Sequence, residues 1–360
     1  MKNTHGLFAL SKEKPLVSEQ GTILLIGAAG QIGEHVQPIL EQLYPGKIIA
    51  VARRADTSKN IQALDFKNTD AVLNLIKDRH VEVVINLAAF LSSRSEAWPD
   101  EAREVNFTAV KRLLEGSKDL GVKQIFTPSS IAVYGADTGR TATMQSPTRP
   151  SGVYGKSKVE LEQFMRDWNQ RGEGAFATSL RLGGVLTCKL PPSDGTAMEF
   201  DKMILAAAYE AQTGQRYPEL REYYDGSGQY NPRIPSTTRM PFILVDDAAR
   251  EIVRYLHNVE RTDPNATRHH LAAFTLGIND LADALRQKTK DGFKASFGPT
   301  STIGPKARFA MEWPNSLDIT SSRTWGFDPA MCANADKAIH TCFDRVQDSQ
   351  KDAARTRTAR

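Results

Sequence analysis

Cysteine is scarce: the 360 residues hold three, at 188, 332 and 342. An odd, widely spaced set offers no disulfide scaffold and no zinc ribbon. It fits a reducing compartment such as the cytoplasm. Charge of one sign is also scarce. Lys and Arg number 46 against 42 Asp and Glu, a net charge of +4, too small an excess to mark a nucleic-acid surface. No apolar run approaches the roughly 18–20 residues of a membrane-spanning helix. The opening MKNTHGLFALSKEKPL lacks an apolar core, so no secretory leader is expected. No internal repeat is visible. What is present is 40% apolar and 24% charged residues, enough to bury a core and unlike a disordered chain. The length suits one large domain or two smaller ones.

Residues 1–20 are polar and aperiodic and read as a flexible arm. Thr22–Ile26 is an apolar run between glycines, the mark of a buried strand. Gln31–Leu43 places Ile32, Val36, Ile39, Leu40 and Leu43 at helical spacing. Lys47–Ala52, Val81–Leu87, Gln124–Thr127 and Ala175–Leu182 read as further strands. Asp70–Arg79, Asp100–Leu120 and Tyr154–Gln170 read as helices. Alternation at this spacing predicts an α/β fold, a doubly wound parallel sheet of Rossmann type over 21–187. A smaller substrate-binding lobe, 188–345, interleaves with late strands of that sheet. Segment 188–240 is rich in Pro, Gly and Tyr and reads as a long functional loop. Helical spacing returns at Asp246–Leu256 and Ile278–Gln287, and 346–360 reads as a disordered tail.

Gly27-Ala-Ala-Gly30-Gln-Ile-Gly33 joins the first strand to the first helix. Glycine permits a sharp turn there and lets bare backbone approach a pyrophosphate. The helix N-terminus adds free N–H groups and a positive dipole. Tyr154-Gly-Lys-Ser-Lys158 places a phenol and an ammonium on one helix face. The ammonium is expected to draw the phenol down from about 10 toward working pH, making Tyr154 a general base. Thr127-Pro-Ser-Ser-Ile-Ala-Val-Tyr134 follows a strand and supplies two hydroxyls, Ser129 and Ser130.

The G-x-x-G-x-x-G turn, the Tyr154/Lys158 pair and the serine turn together resemble the extended short-chain dehydrogenase/reductase superfamily. Within it, the chain is most similar to short-chain-type L-threonine 3-dehydrogenases, from about Gly21 to Pro329. Ala89-Phe-Leu-Ser92-Ser-Arg-Ser-Glu96 resembles their A-L-L-S-A-x-G-E stretch, and Pro150–Lys158 their R-P-x-x-x-Y-G-x-S-K. Thr238-Arg-Met-Pro241 and Glu312-Trp-Pro-Asn-Ser-Leu-Asp318 also have counterparts there, uncommon among sugar-nucleotide epimerases.

The resemblance implies Ser130, Tyr154 and Lys158 as the catalytic set, with Ser129 a second hydroxyl candidate. It implies cofactor contacts at Gly27, Gly30, Gln31, Ile32, Gly33, Leu87, Ala88, Ala89, Asn106, Lys158 and Leu182. Ser92, Ser129, Thr196, Arg239 and Trp313 are the expected substrate contacts. No metal is expected: His269-His270 has no further ligand at suitable spacing, and Cys188 reads as a small packing residue. A homodimer is implied through the 100–120 helix and the helix carrying Tyr154. The implied reaction is NAD(P)-dependent oxidation of the secondary alcohol of a β-hydroxy-α-amino acid, with L-threonine as the reference case. A sugar-nucleotide epimerase, dehydratase or ketoreductase is an alternative, as is a non-catalytic dinucleotide sensor.

Departures qualify this. The acidic residue that holds the ribose 2′-hydroxyl of NAD is replaced by Ala52, followed by Arg53 and Arg54. Two arginines beside an absent acid favour a 2′-phosphate, hence NADP over NAD. A second acidic position near the adenine appears as Gln62, with Asp65 close by. Gly195-Thr-Ala-Met-Glu-Phe200 departs from the G-T-T-D-Y-A substrate loop. An insertion around Arg216–Ser236 adds aromatic and charged groups.

Overall fold

The computed structural model describes Leu7 and residues 11–190, 195–290, 292–298 and 305–358. Strands β1 (Thr22–Ile26), β2 (Ile48–Ala52), β3 (Ile61–Ala63), β4 (Val81–Asn86) and β5 (Gln124–Phe126) belong to one parallel sheet. A sixth strand, Phe176–Thr178, completes the order β3-β2-β1-β4-β5-β8, counting it as β8. β1 shows why the run is uniformly apolar. Ile23 and Leu25 enter the core on one face, and Leu24 and Ile26 enter the core on the other. Helix α1 (Gly33–Leu43) packs on the first face. α2 (Thr69–Asp78) and the later helices over Ala109–Gly116 and Val153–Arg171 cover the second. Strand order reverses between β1 and β4, so a crevice opens beyond their carboxyl ends.

After β4 come α3 (Ser92–Ala97) and α4 (Pro99–Arg103). A π-helical turn, Glu104–Thr108, links α4 to α5 (Ala109–Gly116). The short strands β6 (Ser129–Ser130) and β7 (Thr141–Ala142) precede α6 (Val153–Arg171). The expected strand 175–182 is two strands, β8 and β9 (Leu180–Leu182), which belong to different sheets.

The second lobe begins with β10 (Gly184–Leu186) and α7 (Met198–Thr213). β11 (Arg239–Leu244), α8 (Val245–Asn258), β12 (His269–Leu271), β13 (Phe274–Gly277) and α9 (Ile278–Lys288) follow. Then come α10 (Pro305–Glu312), β14 (Ser316–Leu317) and α11 (Ala335–Thr358). β10 and β13 flank β11, while β12 and β6 flank β9. β14 pairs with β7, Ser316 opposite Thr141, and so carries the end of α10 back to the first lobe.

Four expectations are corrected. The 1–20 arm is not wholly loose: Leu7 and Val17 are buried against α1 and α8. The 188–240 segment contains α7, a helix of 16 residues. Glu199 through Ala208 are all buried, so α7 has no polar face to betray it. The 346–360 tail continues α11 to Thr358, and Val346 lies in the core beside Ile339 and Phe343. Finally, Cys188 and Cys342 form a disulfide across 154 residues of sequence. Their spacing concealed the pair, and the cysteine count no longer argues for a reducing compartment. Among the described residues, no helix is long and apolar enough to cross a membrane.

Candidate active site

The glycine turn sits in the crevice between β1 and β4. Gly27 has φ +82°, and a Cβ there would stand 3.0 Å from the Ala88 amide nitrogen. A Cβ on Gly33 would come within 2.2 Å of the Gly27 carbonyl oxygen. The Gly30 amide donates to that same carbonyl at 2.9 Å. The turn is therefore closed around backbone, and α1 begins directly above it with Ile32 at its N-cap. Gln31 Nε2 donates to Thr187 Oγ1 at 3.2 Å, joining the turn to the end of β10.

Across the crevice, Leu87, Ala88 and Ala89 are half-buried. Asn86 Oδ1 accepts from the Ala88 amide, while Asn86 Nδ2 is buried without a partner. Asn106 spends both ends of its amide on the Phe90 backbone, at 2.9 Å each. It braces the loop that forms the crevice wall. Leu182 closes β9 beside Ser130, its register partner in β6. Arg53 and Arg54 are exposed just beyond β2, and Asp65 is exposed and accepts from the Lys67 amide. A close-approach glycine turn, a helix N-terminus and a wall bearing an unpartnered amide fit a dinucleotide.

At the far end of the crevice, α6 presents Tyr154 and Lys158. Lys158 is buried, and its Nζ donates to the Pro128 carbonyl at 2.8 Å. That Nζ lies 5.7 Å from the Tyr154 ring centroid. Burial pushes the Tyr154 phenol up to about 12, opposed by a hydrogen bond with the Ser130 side chain. Burial lowers Lys158 to about 8, opposed by the Glu162 carboxylate. The expected lowering of Tyr154 by Lys158 is thus not met: desolvation of the phenol dominates, and what opposes it is the Ser130 hydrogen bond.

Ser129 and Ser130 part company here. Adjacent strand residues face opposite sides. Ser130 turns to Tyr154, whereas Ser129 donates to Glu162 Oε1 at 2.5 Å in the interior. Ser129, expected as a substrate contact, is thus buried and spent on Glu162. Glu162 also receives Arg181 Nε at 2.8 Å and Nη2 at 2.6 Å. Arg181 Nη1 donates to the Tyr134 hydroxyl at 2.8 Å, and that hydroxyl bonds His270 Nε2 at 2.5 Å. Burial lowers His270 to about 4, which keeps its imidazole neutral. His269 instead meets Asp263 at 2.6 Å. This network behind the site was not anticipated. Only the i, i+4 step from Lys158 to Glu162 hinted at it.

A cleft of about 240 Å³ opens beside Tyr154. Ser92 and Trp313 line it, as expected, together with Glu96, Phe309 and Glu312, which were not singled out. Two expected contacts lie elsewhere. Arg239 pairs with Asp280 at 2.5 Å in an exposed position, because Asp280 opens α9 beside its strand. Thr196 is buried and donates to the Lys306 carbonyl at 3.2 Å, tying α7 to α10. Neither is among the residues of the cleft.

The model of the NAD dependent epimerase/dehydratase family matches residues 23–268. The chain belongs to that family. An uncharacterized epimerase/dehydratase of Staphylococcus aureus is 25% identical over 317 residues, 85% of this chain and 91% of its own. The L-threonine dehydrogenase of Clostridium difficile superposes with a TM-score of 0.77 at 24% identity, covering 92% of this chain and 99% of its own. That of Phytophthora infestans gives 0.78 at 21% identity, covering 91% and 100%. At these identities the likeness establishes the fold. Family membership implies a dinucleotide cofactor, which the close-approach glycine turn and the unpartnered Asn86 amide fit.

Proposed function

We propose that the chain oxidises the secondary alcohol of a β-hydroxy-α-amino acid, with L-threonine to 2-amino-3-oxobutanoate as the reference reaction. The observation that carries this reading is the gathering of Ser130 and Lys158 about Tyr154, which itself lines the cleft.

Ser130 holds the substrate oxygen, and Tyr154 Oη takes the hydroxyl proton once it is ionised, which burial opposes, so oxidation should quicken as pH rises. A bound NAD(P)⁺ supplies the hydride acceptor. Lys158 is the chain's own positive charge beside the phenol, and its retention through Pro128 and Glu162 fixes where that charge sits. A phenol pushed up to about 12 by burial is a competent proton donor, so the same residues serve ketone reduction.

Arg53 and Arg54, exposed where an acid is absent, support NADP over NAD. Replacing both with alanine should raise KM for NADP⁺ about tenfold or more and leave that for NAD⁺ nearly unchanged. Equal effects on the two cofactors would remove the argument. The decisive assay supplies L-threonine with each cofactor in parallel. Tyr154→Phe should lower kcat by about 10²–10⁴ while dinucleotide affinity stays within about twofold. Near-normal turnover by that variant would sink the mechanism.

A further inference from the structure

Two carboxylates flank the cleft, and each is held by the turn that leads into α6. Glu96 Oε1 accepts from the Val153 amide at 2.6 Å. Glu312 Oε2 accepts from the Ser151 hydroxyl at 2.6 Å. Each uses one oxygen on the turn and keeps a second. The exposed Arg308 guanidinium lies 3.9 Å from Glu312 Oε1, too far for a hydrogen bond. None of the described residues of the cleft is Lys, Arg or His.

The walls are aromatic. Phe309 and Trp313 lie one turn apart on α10 and beyond it, their rings nearly parallel at 13° and 6.5 Å between centroids. Tyr134 and Tyr154 close the opposite side. Ring faces attract a cation, and a carboxylate beside them adds a charge-assisted hydrogen bond. Ser92, 8% exposed, also lines the cleft, and its hydroxyl is paired with no described group. Gly152 keeps the space open: a Cβ there would meet Phe309 Cε1 at 2.8 Å and Glu96 Oε1 at 3.0 Å.

We propose that Glu96 and Glu312, walled by Phe309 and Trp313, form a cation-recognising subsite that takes the ammonium group of an amine-bearing alcohol. The Ser92 hydroxyl supplies a further hydrogen-bonding group toward the same ligand. The assignment deepens the amino-acid reading and takes from it only the placing of the alcohol at Tyr154.

The test is a ligand-observed NMR titration of the full chain with reduced dinucleotide present, so that no alcohol is consumed. The probes are 1-amino-2-propanol and its amine-free match, 1,2-propanediol. The amine should bind about tenfold or more tightly than the diol. Glu96→Gln and Glu312→Gln, which preserve shape, should each shrink that gap. Gly152→Ala, which leaves both carboxylates but fills the space between Glu96 and Phe309, should do the same. Equal binding of amine and diol, no binding of the amine, or a gap that persists in both glutamine variants would overturn the proposal. Amine preference without oxidation of L-threonine by either cofactor would uphold the subsite and end the dehydrogenase reading. Oxidation of L-threonine without amine preference would do the reverse.

Discussion

The Glu162–Arg181 pair offers the sharpest test of how the interior supports the site. The two side chains are 6% and 3% exposed and meet through two hydrogen bonds. Glu162→Ala would leave the Arg181 guanidinium charged, buried and facing a hole, and would also orphan the Ser129 hydroxyl. Breaking one partner of such a pair costs about 3–5 kcal/mol, a large share of the roughly 5–15 kcal/mol that holds a typical protein folded. Urea unfolding followed by tryptophan fluorescence should show that loss. The double variant Glu162→Leu/Arg181→Met should recover much of it, because the Arg181 charge leaves together with its partner. The same substitution acts on Lys158. The Glu162 charge opposes the desolvation that lowers Lys158 to about 8. In Glu162→Gln the Lys158 titration, read by NMR of ¹³C-methylated lysine, should move lower still. A loss below about 1 kcal/mol in Glu162→Ala, with Lys158 unmoved, would show that the pair is neither structural nor coupled to the site.

Asp201 and the disulfide make further predictions. Asp201 is buried, and desolvation raises its carboxyl to about 7 despite three hydrogen bonds from Thr187 and Cys188. A raised carboxyl contributes stability below its unfolded value near 4, lost as pH climbs through about 7. Asp201→Asn should therefore raise the unfolding midpoint at pH 8 by the equivalent of up to about 4 kcal/mol and change little at pH 4. A destabilised variant at pH 8 would contradict the assignment. The Cys188–Cys342 bond closes 154 residues of sequence, which by loop entropy is worth about 2–5 kcal/mol. Dithiothreitol should lower the stability of the native chain by that amount and leave Cys342→Ser untouched. An equal response from both proteins would exclude the bond as the cause.

The parallel sheet was legible because its strands are short apolar runs bounded by glycine or polar turns, as in Thr22–Ile26, which the structure matches residue for residue. α7 was not, because Glu199, Asp201 and Lys202 are charged yet buried. A pattern reader takes charge for surface. The meeting of Ser130 with Tyr154 was legible through the resemblance carried by the serine turn and by the Tyr154/Lys158 spacing on α6. That Ser129 turns inward to Glu162 was not, since that depends on strand facing alone. Arg239 illustrates a longer reach. Its partner Asp280 is 41 residues away, and only the pairing of β11 with β13 brings them together. Glu96 and Glu312 share one cleft for the same reason: the β7–β14 pairing folds the late segment back over the turn at 151–153.

The order in which the chain is made gives one of these packings a temporal meaning. The parallel sheet has its last strand at Thr178, whereas the second lobe's core joins Phe200 and Met203 of α7 to Ile339, Phe343 and Val346 of α11. At about 5–20 residues per second, a ribosome needs about 10–30 s to travel from Thr178 to Val346. Through that interval the apolar sides of α7 wait for their cover. One face of the parallel sheet waits as well, because Ile252 and Tyr255 of α8 and then Trp325 and Phe327 complete its core. A ribosome stalled in the last hundred codons would thus leave both lobes with apolar surface for whatever shields it.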